Sequence, residues 1–408
     1  MGIDILLATV GLLGVVVAAL SATMRRLPIS EPLLGLVAGM LIGPYVLDLV
    51  HLPALTDEHS LLHEASRVLL AVSVMAVALR YPAAEVRRVW RPVVVLLVVA
   101  MPLMAVVTAA LGWFLLSVPF VTAALLGAAL CPTDPVLASS VVTGEDAERD
   151  LPARDRRLLS LESGANDGLA LPLVLAAIAI AGGMSTGAAV RESLWQILGA
   201  VVVGAAMGWA GGQALTWGDR FGATAAAPAL FFTVVLALGI LGFAGLWHLD
   251  GILAVFVGGL LFNVVGTGGE RAAEVPIDEA INRFAVLPLF VLLGAALPWD
   301  SWADLGWHGV ALAVCVLVLR RLPILLLLRR LLRLPIPDAV YLGWFGPVGV
   351  SALFYLTMEA DRLGVDETVL AAGSLILVVS TIAFGLSGVA GRMLYVRAAP
   401  KTSAGSPG

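Results

Sequence analysis

Four polar side chains share one short stretch, Leu161-Glu162-Ser163-Gly164-Ala165-Asn166-Asp167-Gly168, inside an otherwise apolar run. Glu162, Ser163, Asn166 and Asp167 stand at relative positions 0, 1, 4 and 5, which gathers them on one face of a helix. Counted from Arg157, Asp167 lies about 15 Å along that helix at ~1.5 Å per residue. A carboxylate at such a depth can exchange a bound proton for a bound cation. A second acid sits in Cys131-Pro132-Thr133-Asp134-Pro135. Pro135 removes a backbone donor and pushes Asp134 toward an extended conformation, so the helix is expected to break there. Freed carbonyls, the Thr133 hydroxyl and the Asp134 carboxylate then converge as oxygen ligands suited to a hard monovalent cation.

Two further stretches complete the set. Gly343-Trp344-Phe345-Gly346-Pro347-Val348-Gly349 is a second Gly/Pro interruption of an apolar run. It lies seven apolar stretches after the first and so runs in the opposite direction. Paired interruptions in inverted halves point to a transporter's ion site, where opposed half-helix ends supply partial charges. Arg320-Arg321-Leu322-Pro323 places two guanidiniums inside a further apolar run. One of them, Arg321 above all, is expected to reach the acidic cluster or a helix C-terminal end.

The elements that position these residues must be membrane helices. Of 408 residues 60% are hydrophobic and 13% charged, about half the charge that soluble domains carry. The bilayer has to act as solvent. About thirteen stretches are long and apolar enough to span: 3–22, 32–50, 64–80, 92–117, 119–142, 158–181, 193–215, 229–247, 250–265, 283–298, 307–328, 338–358 and 367–390. Arg25 and Arg26 follow the first stretch, which reads as a spanning helix and not as a cleaved leader. Nineteen of the 24 basic residues fall in one alternate set of connections and two, Arg191 and Arg362, in the other. That bias puts the N-terminus outside and the C-terminus in the cytoplasm. Residues 1–391 form the membrane domain, and 392–408 are expected to be a short, disordered polar tail.

Other functions find little support. There is one lysine, Lys401, and no basic patch interleaved with aromatics, so nucleic-acid binding is not expected. No phosphate-binding loop, dinucleotide fingerprint or HExxH occurs, so no cofactor is expected. A channel or organic-anion carrier would need a continuous polar or basic lining, whereas the acids here are focused in one cluster.

These stretches resemble the monovalent cation/proton antiporter family 1, the NhaP and sodium/hydrogen exchanger type. The Glu162–Gly168 run is the specific match; Thr133-Asp134-Pro135, Arg320-Arg321-Leu322-Pro323 and Gly343–Pro347 support it. The resemblance implies an all-α antiporter fold with an inverted repeat and two interrupted crossing helices. It implies a homodimer in the cell membrane and elevator-like alternating access. Asp167 would be the carboxylate that alternates between proton and cation. Thr133, Asp134, Glu162 and Ser163 would complete the cation shell, directly or through water. Asn166 would tie the two broken helices to the carboxylate helix. An Asn-Asp pair, in place of two acids, looks like the electroneutral branch that exchanges one Na+ or Li+ for one H+. K+ exchange on the same fold stays open. Two departures stand out: Val348 occupies a position where many members have Arg, and Val74–Leu79 lacks an acid to pair with the eleventh-stretch arginine.

Overall fold

The computed structural model describes residues 2–20, 29–51, 60–222, 231–265 and 284–399. In chain order the helices are α1 (Gly2–Ala19), α2 (Glu31–Ile42), α3 (Ser60–Arg80), α4 (Ala83–Val95), α5 (Met101–Leu116), α6 (Phe120–Ala129), α7 (Pro135–Val142) and α8 (Glu145–Asp150). They continue with α9 (Ala153–Leu169), α10 (Leu171–Ile180), α11 (Thr186–Arg220), α12 (Phe232–Leu246), α13 (Gly251–Val265) and α14 (Phe284–Ala295). The last are α15 (Trp299–Leu319), α16 (Leu322–Leu332), α17 (Ile336–Trp344), α18 (Val350–Leu363) and α19 (Glu367–Ala398). The described residues contain no strand. Every apolar stretch predicted to span contains a helix.

The polarity is inside out. Leu246, Leu327 and Phe114 are 78%, 77% and 73% exposed, whereas Asp134, Glu162 and Asp167 are 0% exposed. Only a hydrocarbon solvent makes that arrangement favourable. Long apolar helices such as α11 turn most of their surface outward, and this is a multi-pass membrane protein.

Several predicted boundaries are corrected. The second stretch is helical only to Ile42 and then turns through 43–47, because Gly43-Pro44 cannot continue it. The fourth begins earlier, at Ala83, with Arg87, Arg88 and Arg91 on its amphipathic entry, and a π-helical turn at Leu96–Ala100 joins α4 to α5 between Pro92 and Pro102. The eleventh also begins earlier, at Trp299, and kinks at Gly306, whose φ of 53° and ψ of −144° suit glycine alone. The last helix runs to Ala398, past the predicted end of its stretch at 390. The charges at Arg25, Arg26, Asp57, Glu58, Arg271, Arg283 and Lys401, and the tail from 400 onward, lie outside the described residues.

The arginine-rich connections meet at one end of the bundle. Arg154 donates to the Leu332 and Arg333 carbonyls that close α16, at 2.6 and 3.0 Å. Arg392 pairs with Asp146 and Asp150 of α8, and Arg157 with Glu85 of α4. At the opposite end Tyr45 donates to Asp300 at 2.5 Å and Arg362 pairs with Glu192 at 2.7 Å.

Two close helix approaches set the core. A Cβ on Gly204 or Gly208 of α11 would stand 2.2 or 2.1 Å from the Ala254 or Gly258 carbonyl of α13. A Cβ on Gly164 or Gly168 of α9 would meet Val77 at 2.8 Å or Leu253 at 2.7 Å. Small residues one turn apart thus let backbones touch where side chains would hold them apart. On α9 the glycine face lies opposite the acidic one, so α3 and α13 press the acids toward the two broken helices.

Candidate functional site

The two interruptions meet. Leu130–Asp134 separates α6 from α7, and Phe345–Gly349 separates α17 from α18. The prolines in each segment forbid the amide donors a continuous helix would need. The Asp134 amide instead donates to the Pro347 carbonyl at 3.0 Å, one break to the other. Pro135, Gly346 and Pro347 thus stand where the helices open and cross.

Opposite charges close the opened ends. Arg320 donates to the Leu130 carbonyl, to the Pro132 carbonyl at 3.2 Å and to the Gly346 carbonyl at 2.6 Å. One guanidinium thus serves the C-terminal ends of both α6 and α17. Asp134 does the converse. It accepts from the Leu137 amide at 2.8 Å and from the Val350 amide, capping the N-termini of α7 and α18 together. Helix ends carry roughly half an elementary charge each, positive at the N-terminus, so both placements are favourable. Gly349 makes room, since a Cβ there would stand 2.5 Å from an Asp134 oxygen. A lost cap costs about 0.5–2 kcal/mol, so Asp134→Ala is expected to lose roughly 1–4 kcal/mol, whereas Asn, whose single carbonyl oxygen can accept from one of the two amides, should lose about half as much. Thermal unfolding in detergent measures both; equal losses would mean that Asp134 does not hold the crossing.

The polar face of α9 lies against this crossing, fully buried. The Thr133 amide donates to the Asn166 side-chain oxygen at 3.3 Å, and Asn166 Nδ2 donates to Thr133 Oγ1 at 2.8 Å. The Thr133 and Ser163 hydroxyls are 3.0 Å apart. Asn166 therefore ties the first break to α9. Glu162 receives Arg321 in a two-pronged pair at 2.7 and 2.9 Å, while Arg321 Nε donates to the Leu342 carbonyl of α17 at 2.9 Å. The open partner of the eleventh-stretch arginine is thus Glu162, on the carboxylate helix, and not an acid on α3.

Asp167 differs from both other acids. Neither of its oxygens makes a hydrogen bond among the described residues. The Ser351 hydroxyl faces it from α18, and Asp134, Glu162 and Asp250 are its acidic neighbours. Tyr355 donates to the Asp167 backbone carbonyl and, at 3.3 Å, to that of Gly168. Ser351, Tyr355 and Asp250 were missed in the sequence. Asp250 caps α13 through the Leu253 amide at 2.9 Å and stands at the end of an apolar run, where an acid reads as a connection. Ser351 and Tyr355 carry no charge to mark them, although their spacing of four residues places both on one face of α18. Val348, which stands where the resembled type often has Arg, donates its amide to Ser380 at 2.9 Å, and among the described residues Arg320 and Arg321 are the guanidiniums at the crossing.

The arrangement has known relatives. Residues 12–392 match the family described as "Sodium/hydrogen exchanger, transmembrane". The chain is 31% identical over 357 residues to Na(+)/H(+) antiporter 2 of Zygosaccharomyces rouxii, covering 83% of this chain and 44% of that protein. It is 26% identical over 338 residues to the K(+)/H(+) antiporter NhaP2 of Shewanella sp. (strain MR-4), covering 82% and 57%. The chain thus spans about half the length of these curated relatives. The fold matches the structure of the sodium proton antiporter MjNhaP1 from Methanocaldococcus jannaschii at pH 8, with TM-score 0.75 and 18% identity over 97% of this chain and 99% of that one. With the family matched over nearly all of the membrane region and the interrupted helices crossing at a buried acid, the chain belongs to the sodium/hydrogen exchanger family.

Proposed function

We propose that this chain exchanges Na+ or Li+ for H+, one for one, at Asp167. The observation that carries the reading is the state of that carboxyl: fully buried, and without a hydrogen bond on either oxygen among the described residues. Buried polar atoms are normally satisfied, and an uncommitted one asks for a ligand. Asp134 is spent on two helix ends and Glu162 on Arg321, which leaves Asp167 to bind. A proton satisfies it as an acid, and a cation satisfies it as a carboxylate. The Thr133 and Ser163 hydroxyls complete the cation shell, with Asp134 and Glu162, whose oxygens are already engaged, reached through water. No cofactor takes part, since the proton and cation gradients drive each other through one site. The inverted repeat, a homodimer, elevator-like movement, an external N-terminus, a cytoplasmic C-terminus and residence in the plasma membrane belong to the same proposal. K+ is the second reading, favoured by the similarity to the K(+)/H(+) antiporter NhaP2.

Cation-dependent pH changes in everted vesicles, compared across Na+, Li+ and K+, test the reading. Absence of a response to all three would overturn it. Because proton and cation compete for the same oxygens, apparent cation affinity should fall about tenfold per pH unit once the shared carboxyl is mostly protonated. An affinity independent of pH would mean separate sites. Exchange in sealed vesicles should also ignore an imposed membrane potential, and a clear acceleration would contradict one-for-one stoichiometry.

A further inference from the structure

Helix α18 carries a line of polar groups beyond the site. Ser351, Tyr355 and Glu359 are each one turn apart and share one face. They are 0%, 1% and 3% exposed. Ser351 faces the Asp167 carboxyl and Tyr355 holds the backbone of Asp167. Glu359 follows, about 12 Å beyond Ser351 along the helix at ~1.5 Å per residue. Neither Glu359 oxygen has a hydrogen-bond partner among the described residues.

Glu359 borders a small cleft of about 20 Å³, room for a water, between α6, α18 and α19, walled by Leu125, Leu356, Leu363 and Val369 and reaching Asp366. This is the end of α18 away from the arginine-rich connections, the outer side in the orientation proposed above. Asp366 is committed: it accepts from the Thr368 and Val369 amides at 3.0 and 3.1 Å and from the Thr122 hydroxyl at 3.1 Å. The other titratable groups nearby are Cys131 at the end of α6, within the field of Glu359, Tyr355 and Asp361 on α18, and His63 of α3. The His63 ring is 2.9 Å from the Thr357 hydroxyl, and Arg362 is taken by Glu192. Among the described residues Glu359 caps no helix and pairs with no cation, yet it is kept buried, which costs free energy when a polar group has no partner.

We propose that Glu359 is the proton way-station between Asp167 and the water at this end of the bundle. A proton leaves water in the cleft and converts the Glu359 carboxylate to the acid. It then passes by way of water and the Tyr355 and Ser351 hydroxyls to Asp167 as the cation departs, and Glu359 returns to the carboxylate. The reverse sequence releases a proton. The cation does not use this path, so Glu359 serves only proton-coupled turnover. This rests on the exchange function proposed above.

The test separates the two. Glu359→Gln and Glu359→Asp are reconstituted beside the wild type, and each is assayed for Na+/H+ exchange across pH and for 22Na+/Na+ self-exchange, which moves no proton. In Glu359→Gln, Na+/H+ exchange should fall roughly tenfold or more with an altered pH profile, self-exchange should stay within about twofold, and Glu359→Asp should recover part of the loss. Wild-type exchange rates and pH profile in Glu359→Gln would overturn the inference alone. Loss of self-exchange along with proton coupling would also overturn it, since that marks a packing defect. A wild-type protein without Na+/H+ exchange would overturn the exchange function and this inference together.

Discussion

Replacing Asp167 by Asn is expected to reduce cation-coupled proton movement to background for Na+, Li+ and K+ alike. Asn keeps the shape of the side chain and removes both the titration and the negative charge. Two other acids of the cluster are already engaged. Asp134 is held by the Leu137 and Val350 amides and Glu162 by Arg321. The variant should nevertheless insert and fold, because the Asp167 side chain makes no hydrogen bond among the described residues that Asn would break. Its thermal midpoint should match or exceed that of the wild type, since an unpaired buried carboxyl costs stability. The measurement is a paired one, transport in vesicles and unfolding in detergent on the same preparations. Exchange near the wild-type rate would place the proton carrier elsewhere and end the assignment.

The second large effect is on stability. Glu162 and Arg321 form a buried pair, 0% and 2% exposed, that joins α9 to the segment between α15 and α16. Removing one partner of such a pair costs about 3–5 kcal/mol, because the other charge is left without compensation. Arg321→Met and Glu162→Gln should each lose that much. The double variant should lose less than the sum, and less than Arg321→Met alone, since neither charge is then stranded. A Cβ on Gly346 would stand 2.2 Å from the Arg321 side chain, so Gly346→Ala should disturb the same pair without touching either charge. Additive losses in the Glu162/Arg321 cycle would show that the two side chains act independently and that their contact does not hold the helices together.

How far the sequence disclosed this site depended on charge. Asp134, Glu162, Asp167, Arg320 and Arg321 stand out because ionisable groups inside apolar runs are costly and rare. The prolines and glycines at 132, 135, 346, 347 and 349 marked both interruptions for a similar reason, and both are observed. The resemblance singled out Asp167, but the parts played by Asp134 and Glu162 were not legible. The three carboxyls look alike in sequence, and only their partners, from 159 residues away in the case of Arg321 and 216 in the case of Val350, separate the cap and the ion pair from the carboxyl without a hydrogen bond among the described residues. Ser351 and Tyr355 are common side chains in a membrane helix and carried no signal. Glu359 fell one residue beyond the predicted limit of its stretch at 358, where an acid reads as solvated. Helix ends went astray where local breakers, such as Gly43-Pro44, outweighed a continuing apolar composition.

The separation of Glu162 from Arg321 also bears on how the protein is made. A ribosome adding ~5–20 residues per second needs roughly 8–32 s to travel from the first to the second. Throughout that interval the guanidinium that Glu162 requires does not yet exist. Each charged residue at a helix centre opposes insertion by about 2.5–3.5 kcal/mol, and α9 holds both Glu162 and Asp167. Neighbouring helices can shelter it: α3 is already present, and α13 arrives later to close over its glycine face. Integration of the first half of the chain is then completed by an arginine from the second half, so biogenesis and ion-pair stability draw on the same contact.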